Sequence, residues 1–148
     1  MIHAARRGVA PRLLAFLVTA FAFASPALAD PSPVAVGEVN APQEDAAKAI
    51  KVTLSEELSK MKLPSGKKFI VSASLVKLET KKSGTDETTQ AVVSLAVRDA
   101  KNGAIRGVIN GSGLVKSRAG DPTVTKTVVE TAVRGATKNL PVVIAQAQ

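Results

Sequence analysis

TTQAVVSLAVRDAKNGAIRGVINGSGLVK, residues 88–116, predicts two β-strands joined by a tight turn. In its first half, every second residue from Ala91 to Val97 is apolar, as in a strand that buries one of its faces. Asn102-Gly103 is a residue pair preferred in hairpin turns with positive φ. We therefore predict two antiparallel strands, over residues 88–99 and 104–116.

A third strand is predicted on the amino-terminal side of this hairpin, at residues 68–79 (KFIVSASLVKLE). A polar loop at residues 81–86 separates it from the hairpin. Strands joined by short polar loops are typical of an antiparallel meander. A further strand candidate, residues 34–39, is separated from the meander by a helical pattern.

The helix between these strands has the clearest pattern in the chain. Apolar residues recur at spacings of three and four, the period of one helix face; they are Ala47, Ile50, Leu54, Leu58 and Met61. Asn40-Ala41-Pro42 is typical of a helix start, and Pro64 with Gly66 of the chain beyond a helix end. We predict that this helix ends near Lys62 and packs on the sheet.

A second helix is predicted to open at Asp121-Pro122, with Asp121 as the cap and Pro122 in the first position. Its apolar stripe comprises Val124, Val128, Ala132, Ala136 and Leu140. Gly135 weakens this helix, which a close approach to another backbone would compensate. Beyond Pro141, residues 142–144 form either a short last strand or a tail packed on the surface. The predicted fold class is α+β, an antiparallel sheet in the order β-α-β-β-β-α with two helices packed on it.

Residues 1–29 have the composition of a cleavable export signal. Basic residues at Arg6, Arg7 and Arg12 precede the apolar run LLAFLVTAFAFA, and small residues lie at Ala27 and Ala29. The run is short for a bilayer span, so a retained membrane anchor is the weaker alternative. We predict cleavage after Ala29, a mature domain of residues 30–148, a periplasmic or secreted location, and no stable membrane anchor after cleavage.

Removal of residues 1–29 would leave Phe69 as the only aromatic residue, with no His, Cys, Trp or Tyr. Without His or Cys there is no ordinary zinc, copper or haem site, no thiol nucleophile and no imidazole to activate a serine. Without aromatic platforms, the usual stacking recognition of single-stranded nucleic acid is excluded. We therefore predict a non-catalytic protein with no metal, no cofactor and no nucleic-acid partner.

Two motifs resemble parts of catalytic or phosphate-binding sites. Ser-x-x-Lys begins at Ser59, Ser65 and Ser74, but the Ser-x-Asn box that accompanies it in penicillin-recognising enzymes is missing. The glycines of GVINGSGLV, residues 107–115, lie in a predicted strand and not in a loop that opens onto a helix. Close packing of a helix, or a bulge, explains these glycines better than a phosphate.

The predicted mature domain is basic. Three of the 20 basic residues and none of the 12 acidic residues lie in residues 1–29, which leaves 17 against 12, a formal charge of +5. If the turns that carry lysines share one edge of the sheet, they form a basic rim of Lys60, Lys62, Lys67, Lys68, Lys81 and Lys82. Such a rim would attract anionic surfaces. The alternative is that these lysines are solvated turn residues without a ligand.

The strand VAV, residues 34–36, and the Ala-rich helix ending in EELSK, residues 56–60, resemble one class of bacterial envelope domains. The class includes the curli-secretion lipoprotein, the outer-membrane activators of penicillin-binding proteins and the amino-terminal domain of the Tol translocation protein. In these a strand precedes a helix of the type sxxlxexLxk, matched here by Leu54, Glu57, Leu58 and Lys60. The stretch AVRGATKNLP, residues 132–141, is similar to helices at the end of such proteins. The resemblance implies an α+β envelope domain, although this chain lacks the cysteine of the lipoprotein members.

These features predict an exported envelope protein that binds a protein partner or an anionic envelope polymer. The sequence leaves its oligomeric state open. One alternative is a small inhibitor of cystatin-like layout, although the glutamine-valine-glycine hairpin motif of cystatins is not present. The other is a hydrolase that would use carboxylate or lysine side chains such as Glu38, Glu79 or Lys77.

Overall fold

The structure is a computed structural model that describes residues 32–148. The predicted export signal, residues 1–29, lies outside the described residues. Within them, the elements in chain order are β1 (Val34–Asn40), α1 (Glu44–Lys60), β2 (Phe69–Ser83), β3 (Asp86–Asp99), β4 (Ile105–Arg118), α2 (Val124–Thr137) and α3 (Leu140–Ala147). The prediction of an α+β protein is confirmed.

The four strands form one sheet in the order β1-β2-β3-β4. Strands β2, β3 and β4 are antiparallel neighbours, as predicted. β1, however, pairs with β2 in parallel, from Val34 opposite Phe69 to Asn40 opposite Ser74. The prediction of a purely antiparallel sheet is therefore wrong, and the sheet is mixed. The reason is that α1 carries the chain back along the sheet, so that β2 starts beside the start of β1 and runs the same way.

The β2–β3 turn is tighter than predicted. Ser83 pairs with Asp86, which leaves Gly84 and Thr85 as a two-residue loop, and Gly84 has a φ of +63°. A glycine with positive φ in the first loop position matches the twist of hairpin strands. The predicted polar loop, residues 81–86, is thus mostly strand, because this compact turn lets the ladder continue to its end.

The β3–β4 turn comprises residues 100–103, the four residues that the predicted strand bounds leave between the two strands. The Asp99 N–H donates to the Ala104 carbonyl at 2.9 Å, so four residues lie between the paired positions. Gly103 has a φ of +71°, whereas no non-glycine residue of the described chain has a positive φ. Only the glycine of the Asn102-Gly103 pair therefore adopts the left-handed conformation.

Helices α1 and α2 lie side by side on one face of the sheet, in contact with each other. From α1 the residues Ile50, Leu54 and Leu58 are buried, as predicted, whereas Ala47 and Met61 are only partly buried. On the central strand β3, every second residue from Ala91 to Val97 is fully buried. The core thus lies between the two helices and the inner face of the sheet.

The glycines of β4 are packing residues. A Cβ at Gly111 would overlap the Ala132 carbonyl oxygen and lie 2.5 Å from the Ala136 nitrogen, and a Cβ at Gly113 would overlap the Val128 carbonyl oxygen. The backbones of α2 and β4 therefore approach closely, which explains the strand glycines without a phosphate. Gly135 faces the same strand, but a Cβ there would lie an ordinary 3.6 Å from the Ser112 carbonyl oxygen, so the approach does not require this glycine.

The start of α2 differs in detail from the prediction. Asp121 Oδ1 accepts hydrogen bonds from the Thr123 N–H at 2.9 Å and from the Thr123 hydroxyl at 2.8 Å. The regular helix starts only at Val124. Asp121 thus stabilises the turn that precedes the helix, because Pro122 and Thr123 continue that turn before the first helical residue.

Residues 142–144 belong to a helix, so both of the expected forms, a short last strand and a tail packed on the surface, are wrong. Leu140 and Ile144, one turn apart on α3, are fully buried. Val143 packs against β4, where a Cβ at Gly107 would lie 2.5 Å from Val143 Cγ1. Pro141 lies in the first turn of α3, where a missing N–H costs nothing. A proline that interrupts one helical pattern can therefore also begin the next helix.

The opposite face of the sheet is covered by none of the elements in residues 32–148. Among its side chains, Val108 and Leu114 are each 59% exposed. None of the described helices is long and apolar enough to cross a membrane. The fold therefore has one layer of helices, one sheet and an outer sheet face that is open to contact.

Candidate functional site

The six lysines of the predicted basic rim do not share one edge of the sheet. Lys60 is the last residue of α1, and Lys62, Lys67 and Lys68 lie between α1 and β2. Lys81 and Lys82 lie near the far end of β2, roughly 40 Å away at about 3.3 Å per strand residue. The rim as predicted is therefore divided between opposite ends of the sheet.

A different lysine joins the cluster at the start of β2. Lys101, in the β3–β4 turn, lies with Lys67 and Lys68 around a shallow cavity of about 460 Å³ that Asp99 and Ala100 also line. Strand pairing brings them together, because Phe69 lies opposite Asp99 and the Ala100 N–H donates to the Lys68 carbonyl at 2.9 Å. We call Lys67, Lys68 and Lys101 the basic end.

Lys101 was not among the predicted residues, although the order of the strands places it at this end of the sheet. The β3–β4 turn returns to the end of the sheet at which β2 starts, because the strands of a meander alternate in direction. The β2–β3 turn, with Lys81 and Lys82, must then lie at the other end. The alternating direction of the strands is therefore enough to exclude Lys81 and Lys82 from the lysine cluster and to include Lys101.

The one acidic residue that lines the basic end is occupied by local partners. Asp99, 7% exposed, accepts a hydrogen bond from the Lys101 N–H at 2.9 Å and forms an ion pair with Arg106 at 2.9 Å. The hydrogen bond from the Lys101 backbone, followed by that from Arg106, holds the pKa of Asp99 below its ordinary value. The carboxylate therefore remains charged near neutral pH, and its closest charged partner is Arg106.

The lysine side chains of the basic end have few partners. Lys67 Nζ donates to the Ala147 carbonyl oxygen at 3.1 Å, which ties this lysine to the end of α3. Within residues 32–148, neither Lys68 nor Lys101 forms an ion pair, and neither side chain takes part in a hydrogen bond. Two ammonium groups thus face solvent, where an external anion can reach them.

The opposite end of the sheet has mixed charge. Lys82 lies across from Glu87, and Arg118 lies across from Asp86. Opposite charges on neighbouring strands reduce the local potential. Lys81 and Lys82 therefore belong to a less positive surface than the basic end, and they offer a control region for experiments on charge.

A larger groove, of about 820 Å³, runs between the amino-terminal parts of α1 and α2. Its charged lining residues are Glu44, Asp45, Lys48, Glu56, Lys126 and Glu130. Lys48 pairs with Glu44 at 2.8 Å and Lys126 with Glu130 at 3.8 Å, both on exposed surface. Acidic residues predominate here and the lysines are paired, so this groove is poorly suited to an anion.

The residues proposed for hydrolysis form no catalytic arrangement. Lys77 and Glu79 are about half exposed and form an ion pair at 3.0 Å on β2, and Glu38 lies on β1. Neither of the two cavities described above is lined by Glu38, Lys77 or Glu79. Among residues 32–148, no group of three acidic or histidine side chains could hold a metal ion.

Solved structures of bacterial proteins share this fold. A Xanthomonas campestris protein of the DUF330 family has a TM-score of 0.54 and 9% identity, covering 78% of this chain and 84% of its own. A Caulobacter crescentus protein described as a lipoprotein has a TM-score of 0.52 and 15% identity, with coverage of 78% and 88%. PelC of Paraburkholderia phytofirmans, a dodecamer in its crystals, has a TM-score of 0.51 and 18% identity, with coverage of 80% and 91%.

No protein-family model matches the chain, and no curated protein matches it. At identities below one fifth, the three structures show a common fold. The expected likeness to small bacterial envelope domains is therefore supported at the level of the fold alone.

Proposed function

We propose that this protein is a non-catalytic component of the bacterial envelope that binds an anionic envelope polymer through the basic end. The observation that carries the proposal is the convergence of Lys67, Lys68 and Lys101 around one shallow cavity. The only carboxylate in that lining, Asp99, is engaged by Arg106. The positive charge there is therefore not neutralised from within the lining.

The open shape of the basic end fits an extended polymer better than a small ligand. Its cavity is shallow, and its lysines are exposed and flexible, so they offer point charges without a fixed geometry. Exposed charge pairs contribute about 0.2–1 kcal/mol each and are weakened by salt. Useful affinity then requires several anionic groups in sequence, which a repeating polymer supplies.

The predicted export signal and the common fold support the envelope part of the proposal. The signal predicts passage across the inner membrane. One protein with the same fold is described as a lipoprotein, and PelC forms a dodecamer in crystals. Neither relative supplies a ligand for this chain, so the choice of an anionic polymer rests on the basic end alone.

Binding to a polyuronate such as alginate, with neutral dextran as the control polymer, tests this proposal. We expect the affinity for alginate to fall steeply with salt and binding to dextran to be absent. Replacing Lys68 and Lys101 together by Gln should weaken alginate binding by up to about thirtyfold, from two charges worth up to about 1 kcal/mol each.

A matched variant separates a local site from net charge. Lys81→Gln with Lys82→Gln removes the same charge at the opposite end of the sheet, and it should leave the affinity within about twofold. Equal losses in both variants would show that net charge alone attracts the polymer. Unchanged binding in the Lys68 and Lys101 variant would overturn the proposal, and recovery of a protein ligand instead would favour a protein partner.

A further inference from the structure

Strand β4 leaves one long edge of the sheet unpaired in the described chain. β4 is the last strand of the sheet, and it pairs with β3 on one side only. The Ala119 N–H donates to the Thr85 carbonyl at 3.0 Å, and the register places Gly111 opposite Val93. In an antiparallel ladder alternate residues direct their backbone groups to the partner. The odd-numbered residues of 107–117 therefore bond to β3, and the even-numbered residues direct N–H and C=O to the free edge.

The middle of this free edge carries no charge. Residues 107–115 contain no acidic or basic side chain, whereas Arg106 precedes them and Lys116 and Arg118 follow them. Charged residues are a common protection of edge strands against pairing with another chain. Here that protection is confined to the two ends, so nine consecutive residues remain available to another strand.

Exposed apolar side chains accompany this edge. Val108 and Leu114 point to the outer face of the sheet, and each is 59% exposed. Between them on the same face lie only Asn110 and Ser112. This arrangement is nearly symmetrical about Gly111, with one apolar residue three positions before it and one three positions after it.

From this symmetry we propose that β4 pairs with β4 of a second copy, antiparallel and centred on Gly111. In this register Val108 of each copy lies opposite Leu114 of the other, and Asn110 lies opposite Ser112. These even-numbered residues are the ones whose backbone groups point to the free edge, so each exchanges both of its backbone hydrogen bonds with the second copy. Val108 and Leu114 of each copy are then covered by the side chains of the second copy.

Other registers of the same pairing are less favourable. A shift by four positions towards the end of β4 brings Val108 opposite Arg118, and Asn110 opposite Lys116. A shift by two in the other direction places Arg106 opposite Leu114 and leaves Val108 opposite Ser112. Only the register centred on Gly111 pairs both exposed apolar residues with each other, which favours cross-strand contact between them.

The other free edge of the sheet is a poorer partner for β4. β1 has only seven residues, and its pairing is irregular between Val36 and Val39. Glu38 adds a charge in the middle of this strand. Short, irregular and charged strands are the usual means of preventing edge pairing. A symmetrical pair of β4 strands is therefore favoured over a head-to-tail chain of β4 on β1.

The helices leave room for this arrangement. α2 contacts both β3 and β4, so its axis lies inside the edge of the sheet. Strands are about 4.8 Å apart and packed helices about 8–10 Å apart, which allows two copies of α2 to lie side by side above the joined edge. The part of α2 that lies beside β4 carries short residues: a Cβ at Gly113 would lie 3.1 Å from the Thr131 Cβ, and a Cβ at Gly135 would lie 3.6 Å from the Ser112 carbonyl oxygen.

Sedimentation equilibrium of the purified protein tests the proposal, over about 1 to 100 μM to cover weak self-association. We expect a species of twice the mass of one chain. Leu114→Lys should weaken the dimer at least tenfold, because the symmetry places the new charge twice in each interface. Val76→Lys is the control, since Val76 is 64% exposed at the irregularity of β2, away from the β4 edge. Circular dichroism verifies that both variants are folded.

Cross-linking tests the register, because the chain has no natural cysteine. In a mixture of Asn110→Cys and Ser112→Cys proteins, oxidation should form a disulfide between the two variants, whereas either variant alone should not cross-link efficiently. A monomer at all concentrations, a dimer unaffected by Leu114→Lys, or cross-linking within one variant alone would overturn the proposal. Larger rings or filaments would also overturn it, in favour of head-to-tail pairing.

Discussion

Gly111 of β4 lies directly beneath Ala132 of α2, so close that a Cβ at position 111 would overlap the Ala132 carbonyl oxygen. This close approach allows α2 to pack directly on β4 and to bury its apolar residues at that edge of the sheet. Residues with side chains would hold the two backbones apart, which would expose the apolar surface of α2.

Replacing Gly111 by Ala should lower the free energy of unfolding by about 1–3 kcal/mol, because the helix must move to admit the methyl group. Urea denaturation at fixed protein concentration measures the change. Gly135→Ala is the control on the facing helix, since its Cβ would meet the Ser112 carbonyl oxygen at an ordinary 3.6 Å. That change should stabilise the protein by up to about 1 kcal/mol through helix propensity. Equal effects of the two changes would contradict the close approach at Gly111.

The β2–β3 turn should depend on the backbone of Gly84. Its φ is +63°, and no neighbouring atom would obstruct a Cβ. Gly84→Ala should therefore cost about 1–2 kcal/mol, solely from the left-handed conformation. Thr85→Ala, in the same loop but with negative φ, should change the free energy of unfolding little. Thermal unfolding of both variants distinguishes conformational strain from a general sensitivity of the turn.

The terminal helix should contribute to the core. Ile144 is fully buried, and Ile144→Ala should lower the free energy of unfolding by about 2–5 kcal/mol. Val142, two residues earlier, is 56% exposed, so Val142→Ala serves as the control and should have little effect. Chemical denaturation of the two variants measures the difference. Similar small effects would mean that α3 does not pack on β4.

Stability should fall in acid partly through Asp99. Hydrogen bonds from the Lys101 backbone and from Arg106 hold the pKa of Asp99 below its ordinary value of 3.8. A carboxyl group with a lowered pKa stabilises the folded state above its ordinary pKa, and this stabilisation is lost as pH falls through the lowered pKa. Asp99→Asn should therefore lower the melting temperature near neutral pH, and the difference from the unmodified protein should shrink below about pH 4.

The control for this titration is Asp86→Asn, which removes an exposed carboxylate at the other end of β3. It should leave the melting temperature nearly unchanged at neutral pH. Thermal unfolding of the three proteins across the acid range provides the comparison. A difference between the unmodified protein and Asp99→Asn that stays constant down to the lowest pH would argue against the Asp99 interactions.

Several elements were predictable because their signals are local. The spacing of Ile50, Leu54 and Leu58 predicted α1, and the alternation from Ala91 to Val97 predicted β3. Asn102-Gly103 marked the β3–β4 turn at its observed length, whereas the β2–β3 loop is shorter than expected. In each case residues within one helical turn, or a few strand positions, decide the conformation.

The candidate site could be predicted only in part, because local signals do not show which residues meet in the folded chain. Lysines are visible in the sequence, but their grouping depends on which ends of the strands meet. The structure separates Lys81 and Lys82 from Lys68 and adds Lys101, because strand direction alternates along the meander. Composition is enough to give the net charge of the chain, whereas the topology of the sheet decides where the charged side chains lie.

The sequence by itself determined the helical face of α1, the strand alternation, the positions of the turns and a chain chemically poor in catalytic groups. Tertiary structure decided that β1 runs parallel to β2, that the chain ends in a helix, and that Lys67, Lys68 and Lys101 adjoin one another. The physical reason is the distance along the chain over which each interaction acts. Periodicity and turn geometry act between near neighbours, whereas strand direction and the meeting of loops follow from burying both helices on one face of the sheet.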